Sequence, residues 1–162
     1  MSTSGYPLEF GQAEPRDTQR GEEGSAFDQL GGLPTFQRVH KIFYDKVYAH
    51  PWLKQFFADV EQTVIENQQT DFMVQALGGP SRYCGRLPVA AHKHMFITKE
   101  LFDVRHAMLD ESLREARVPD ALRLRWLKVD AAFKGRLVKR SVTECEGRFK
   151  TEPILIVPKP KP

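Results

Sequence analysis

Hydrophobic positions between about residue 25 and residue 141 recur with the period of a helix. Phe36, Val39, Phe43 and Val47 fall at i, i+3, i+7 and i+11, one stripe of a helix beginning near Pro34, a favourable first-turn residue. Pro51 stops that helix and can start a short new one carrying Trp52, Leu53, Phe56 and Phe57. Ile65, Gln69, Phe72, Met73 and Ala76 then share one face of a further helix, four apolar residues with a single amide among them. Gly78 and Gly79 end it, Pro80 to Pro88 reads as a loop, and a short Val89-Ala90-Ala91-His92 element follows.

Thr98 is placed to cap a helix running to about Arg117, with Phe102, Leu109, Leu113 and Ala116 on its apolar stripe. Val118 and Pro119 break it. A last helix is predicted with Leu122, Trp126, Val129, Phe133 and Leu137 at i, i+4, i+7, i+11 and i+15. No period-2 alternation long enough for a sheet occurs, except in the C-terminal tail, so the fold class is all-α. Residues 1–24 are rich in Gly, Ser, Glu, Arg and Pro and predict a flexible extension; residues 25–141 form the domain. Residues 142–162 are a second extension, in which the apolar run Ile154 to Val157 docks on the body or on a partner. The Pro/Lys-rich end beyond it is predicted to stay extended and solvated.

Composition narrows the function classes. The chain has 162 residues, and its 11 Phe, 2 Trp and 4 Tyr suffice for a packed core. A net charge of +3 is too small to make phosphate-backbone contact a leading idea, so no nucleic-acid role is expected. No apolar run approaches the roughly 20 residues of a membrane span, and the N-terminus lacks the plan of a signal peptide, which leaves the cytoplasm as the expected location. Cys84 and Cys145 have no zinc or C-x-x-C spacing and read as reduced thiols. The local geometry of a phosphate loop, a nucleophile elbow or a dinucleotide fingerprint is missing.

The candidate chemistry is carried by histidine. His40, His50, His92, His94 and His106 form no His-Glu-x-x-His or i, i+4 pair, so a zinc enzyme is not indicated. His92 and His94 diverge by about 200° in a helical turn. His92 lies between Val89-Ala90-Ala91 and Met95-Phe96-Ile97, an apolar setting in which it is either a hydrogen-bonded core residue or a ligand. Gln69 on its apolar stripe is costly unless an interior group bonds it; the alternative is a backbone partner or the domain edge. Tyr44 supplies a second polar tip, facing either the same interior or solvent. One imidazole cannot hold a bare divalent ion, but it can hold a haem iron whose porphyrin supplies four nitrogens.

These residues resemble those of the truncated haemoglobins, small globins with a two-over-two helical sandwich around a haem. Phe27-Asp28-Gln29-Leu30-Gly31-Gly32 is similar to the first glycine motif of that family, and Phe43-Tyr44 and Phe56-Phe57 follow at its separation. Ala76-Leu77-Gly78-Gly79-Pro80 resembles the second glycine motif, and Tyr83-x-Gly85-Arg86 the loop before the haem-ligating segment. Ala91-His92-Lys93-x-Met95-x-Ile97 with Phe102-Asp103 resembles the proximal-histidine signature. The likeness covers roughly Phe27 to Ser141, and the Tyr and Gln pair makes it most like the first group of the family.

The resemblance implies haem b with His92 as the proximal iron ligand and Tyr44 and Gln69 as distal donors to a bound gas. Phe57 and Ile65 would pack on the haem, with Phe72, Met73, Met95, Ile97 and Phe102 lining the remaining walls. Arg86 and Lys93 would neutralise the propionates. Dioxygen, nitric oxide and carbon monoxide are the implied ligands, with nitric oxide oxidation or weak peroxidase chemistry as implied reactions and a reductase as an implied partner. A gas or redox sensor acting through the C-terminal extension is the alternative. Arg105 stands where the first group has a smaller apolar residue, and either turns out to solvent or enters the cavity and meets a propionate.

Overall fold

The computed structural model describes residues 24–162, so the predicted N-terminal tail lies outside the described residues apart from Gly24. The order is α1 (Ala26–Gln29), α2 (Leu33–Ala49), a 3-10 turn (Leu53–Phe57), α3 (Gln62–Ala76), α4 (Pro88–His92), α5 (Lys99–Glu115), α6 (Asp120–Ala131), α7 (Lys134–Leu137) and a 3-10 turn (Val142–Glu144). Among the described residues the β structure is one isolated parallel bridge, Met95 with Leu155. Helix α2 packs against α3 and α5, and α5 packs against α6.

Each predicted stripe becomes an interface. Phe36, Val39, Phe43 and Val47 of α2 are buried, and Phe36 stacks on Trp126 of α6 with ring centroids 4.8 Å apart, an arrangement worth about 0.5–1.5 kcal/mol beyond its burial. His40, also on α2, is buried and shares a 2.8 Å hydrogen bond with Thr70 Oγ1 of α3. Burial, helped by the nearby Arg105 charge, lowers its pKa to about 3. A neutral His40 is thus a tie between two helices.

Helix ends follow local chemistry. Thr98 Oγ1 accepts the Leu101 N–H at 3.2 Å, satisfying one of the orphan donors of α5. At the end of α3, Gly78 has φ +91°, and the Gly79 N–H reaches Val74 O at 2.8 Å, a closure that needs left-handed backbone after the helix. A Cβ at Gly79 would come 2.6 Å from a Val74 methyl and 2.7 Å from the Phe27 ring. That close approach seats α1 on α3, with Phe27 N–H bonded to Leu77 O at 2.9 Å.

Two expectations need correction or completion. The predicted last helix is broken: α6 ends at Ala131 and α7 starts at Lys134, with a turn at Ala132 and Phe133 between them. The apolar period continues through the break, so periodicity recorded the buried face and missed the bend. The C-terminal run docks on the body. Leu155 N–H bonds to His94 O at 2.8 Å, Phe96 N–H to Leu155 O at 2.9 Å, and Trp52 Nε1–H to Val157 O at 3.0 Å. Beyond it the Pro/Lys-rich end carries no helix or strand, although Lys159 pairs with Glu100.

Candidate functional site

A cavity of about 540 Å³ opens between α2, the 3-10 turn at residues 53–57, α3, α4 and α5. That size is within the range of cofactor sites. From the 3-10 turn and α3 it is lined by Leu53, Phe56, Phe57, Ile65, Phe72 and Met73, and from the later segments by Met95, Ile97, Leu101, Phe102, Phe133 and Leu137. Aromatic contacts stiffen the lining, with Tyr44 to Phe57 at 6.0 Å, Phe43 to Tyr44 at 4.9 Å and Phe72 to Tyr83 at 5.3 Å between centroids.

His92 closes α4, which begins with Pro88, and lines the cavity. Its Nδ1 lies 2.6 Å from the Pro88 carbonyl oxygen. A carbonyl only accepts, so Nδ1 donates and Nε2 is the nitrogen left with the lone pair. Burial is the main cause that lowers the His92 pKa to about 4, with Arg105 and Lys139 adding to it against the Pro88 hydrogen bond. The imidazole is therefore neutral at pH 7. Lys139 fixes the following turn, donating through Nζ to His92 O at 2.9 Å and to Met95 O at 2.5 Å.

Tyr44 is 2% exposed and faces the same cavity, as does half-buried Gln69. Burial pushes the Tyr44 phenol well above its ordinary range, so it holds its proton. Gln68, beside Gln69 on α3, also reaches the cavity and was not singled out from the sequence.

Of the two predicted courses Arg105 takes the inward one. It turns inward and lines the cavity, but its partner is protein: Nη1 lies 2.7 Å from Asp130 Oδ1, whose other oxygen is 2.7 Å from His106 Nδ1. The guanidinium lies over the Phe43 ring at 5.3 Å and beside the Tyr44 hydroxyl. Burial works against both charges, yet the pairing outweighs it, raising Arg105 and holding Asp130 below the carboxylate range.

At the rim, Arg86 lines the cavity and lies 5.1 Å from the Phe149 ring centroid. Lys93 is outside the lining; a second rim cation is Arg148 of the C-terminal extension, held by Glu152 at 2.5 Å. Thus the cavity gathers His92, Tyr44, Gln69, Phe57, Ile65, Phe72, Met73, Arg86, Met95, Ile97 and Phe102, and leaves out Lys93.

The donor set fits a haem better than a bare ion. Among the described residues no group of three or more His, Cys, Asp or Glu could hold a metal ion, whereas a haem asks for one imidazole, apolar walls and cations near its carboxylates. A ligating histidine commonly gives its other N–H to a backbone carbonyl, as His92 does to Pro88. Among the described residues no helix is long and apolar enough to cross a membrane.

Comparison with known proteins agrees with this chemistry. The chain is 35% identical over 96 residues to a group 1 truncated hemoglobin of Tetrahymena pyriformis, covering 59% of this chain and 79% of that protein. The Fe(III) crystal structure of the Tetrahymena pyriformis protein superposes with a TM-score of 0.66 at 31% identity, over 72% of this chain and all of that one. The 2/2 hemoglobin of Synechococcus sp. PCC 7002, solved in the cyanomet state with covalently attached heme, matches with a TM-score of 0.64 at 28% identity over 70% of this chain and 95% of that one. The fold is the truncated two-over-two globin fold. The model of the bacterial-like globins matches residues 25–138, and the chain belongs to that family.

Proposed function

We propose that this globin carries haem b in the cavity, where His92 Nε2 would hold the iron, and binds dioxygen, nitric oxide and carbon monoxide beside Tyr44 and Gln69. The observation that carries the reading is the state of His92: neutral, oriented by its 2.6 Å bond to Pro88 O, and lining a cavity that a phenol and an amide also line. Haem, when bound there, would supply an iron that takes up a diatomic gas. The protein's part is polarity. Dioxygen gains negative charge on binding and carbon monoxide almost none, so O–H and N–H donors at Tyr44 and Gln69 favour the former. Arg86 and Arg148 at the rim suit the propionates.

The reaction proposed for this site is oxidation of nitric oxide to nitrate, NO + O2 + e⁻ → NO3⁻, with a reductase partner returning the electron. The free thiols Cys84 and Cys145 suit a reducing compartment such as the cytoplasm. Mixing the oxygenated, haem-loaded protein with nitric oxide tests the reaction. Rapid conversion to the ferric spectrum with nitrate released is expected. Slow conversion, at the pace of simple gas exchange, rejects it.

A sensor role is favoured by one observation. The C-terminal extension bonds directly to the segment after His92, through Glu146 N–H to Lys93 O at 2.9 Å and through the Leu155 bonds to His94 and Phe96. Movement of His92 on ligand binding would pass straight into residues 142–157. In that case, hydrogen exchange of this segment differs between the ferrous protein with and without carbon monoxide; identical protection removes the sensor reading.

A further inference from the structure

This inference rests on haem occupying the cavity between His92 and Tyr44. We propose that Arg105 makes the Tyr44 side of the cavity a site for small monovalent anions, with nitrite, azide and fluoride as ligands of the ferric protein. A guanidinium is not needed to admit a neutral gas, and burying one is costly. Here it is held inside by its own counter-ion, Asp130, at 2.7 Å.

The geometry leaves Arg105 available to a ligand. A guanidinium has five N–H donors and no acceptor. Asp130 Oδ1 takes one of them through Nη1, and the residue still lines the cavity. Proximity to the Tyr44 hydroxyl puts the charge beside that donor, in the cavity that His92 also lines. Because Arg105 can only donate toward the Tyr44 oxygen, the phenol proton is directed elsewhere. Two donors, one of them charged, then serve the same space. Charged donors bind anions about twice as strongly as neutral ones and discriminate them from uncharged ligands. Asp130 balances the charge before the ligand enters, and its second oxygen is occupied by His106 Nδ1 at 2.7 Å. Arg105 and Asp130 cancel, so the single positive charge that a ferric haem core would bring is the one an entering monovalent anion neutralises, with Arg105 and Tyr44 as its donors.

The test is the affinity of the ferric haem-loaded protein for fluoride, azide and nitrite, read from its absorption spectrum at one pH. Uncharged imidazole and carbon monoxide on the ferrous form serve as controls. Arg105→Gln is expected to weaken each anion by about 10- to 150-fold and to leave the two controls within about threefold, less than the tenfold that 1.4 kcal/mol gives. Arg105→Lys, which keeps the charge, is expected to recover part of the loss. If Arg105→Gln does not fold because Asp130 loses its partner, the double variant Arg105→Val with Asp130→Asn removes both charges and should show the same selective loss. Unchanged anion affinities, or equal changes for anions and controls, overturn the proposal while the haem reading stands. A native chain that takes up no haemin overturns both.

Discussion

Tyr44→Phe is expected to accelerate dioxygen dissociation from the ferrous haem-loaded protein by roughly 5- to 150-fold, the range for losing about 1–3 kcal/mol of hydrogen bonding. Carbon monoxide dissociation should change by less than about threefold, because that ligand carries little charge for a donor to meet. The substitution is specific. Phe keeps the ring that packs on Phe43 at 4.9 Å and on Phe57 at 6.0 Å, so the wall survives and only the oxygen is lost. Tyr44 belongs to the buried stripe of α2 and is 2% exposed, which keeps water from replacing the missing donor. Stopped-flow release of both gases from native and variant protein reads the effect. Equal acceleration of both would mean that the variant widened the exit path and that no hydrogen bond had been made.

The residues that were legible in the sequence share a local signature. Phe36, Val39, Phe43 and Val47 announced the core face of α2 because each repeats within one or two helical turns, and all four are buried. Tyr44 and Gln69 stood out as polar groups on or beside apolar stripes, where an unmet hydrogen bond is costly. His92 stood out through its apolar flanks and its place in the motif Ala91-His92-Lys93-x-Met95. All three reach the cavity.

What was missed depends on contacts between segments far apart in the chain. Asp130 and Arg105 belong to different helices, and nothing near either one predicts the pair. Arg148 reaches the cavity from an extension outside residues 25–138, where the family pattern ends. Lys93 was assigned by its nearness to His92, but successive side chains in a helical turn point about 100° apart, and it falls outside the lining. The break at Ala132 and Phe133 was hidden because Phe133 and Leu137 keep the helical period on either side of it. That Ile154 to Val157 docks was legible from its apolar run, but its register was not, because Leu155 is held through backbone N–H and C=O groups, which every residue has and no sequence pattern marks.

The most direct measurement is a haemin titration of haem-free native protein and of His92→Gly, followed by absorption, with and without imidazole in solution. Changes outside the ligand shell already lower metal affinity by about 10- to 100-fold, and removing the ligand itself should exceed that. Glycine at the end of the five-residue α4 leaves a space the size of the lost ring. The account predicts that native protein forms a stoichiometric complex with a sharp Soret band and that His92→Gly loses both tight uptake and the native ferric and ferrous spectra. Added imidazole should restore them. Uptake of haemin by His92→Gly with the native affinity and spectrum, and no response to imidazole, would contradict it.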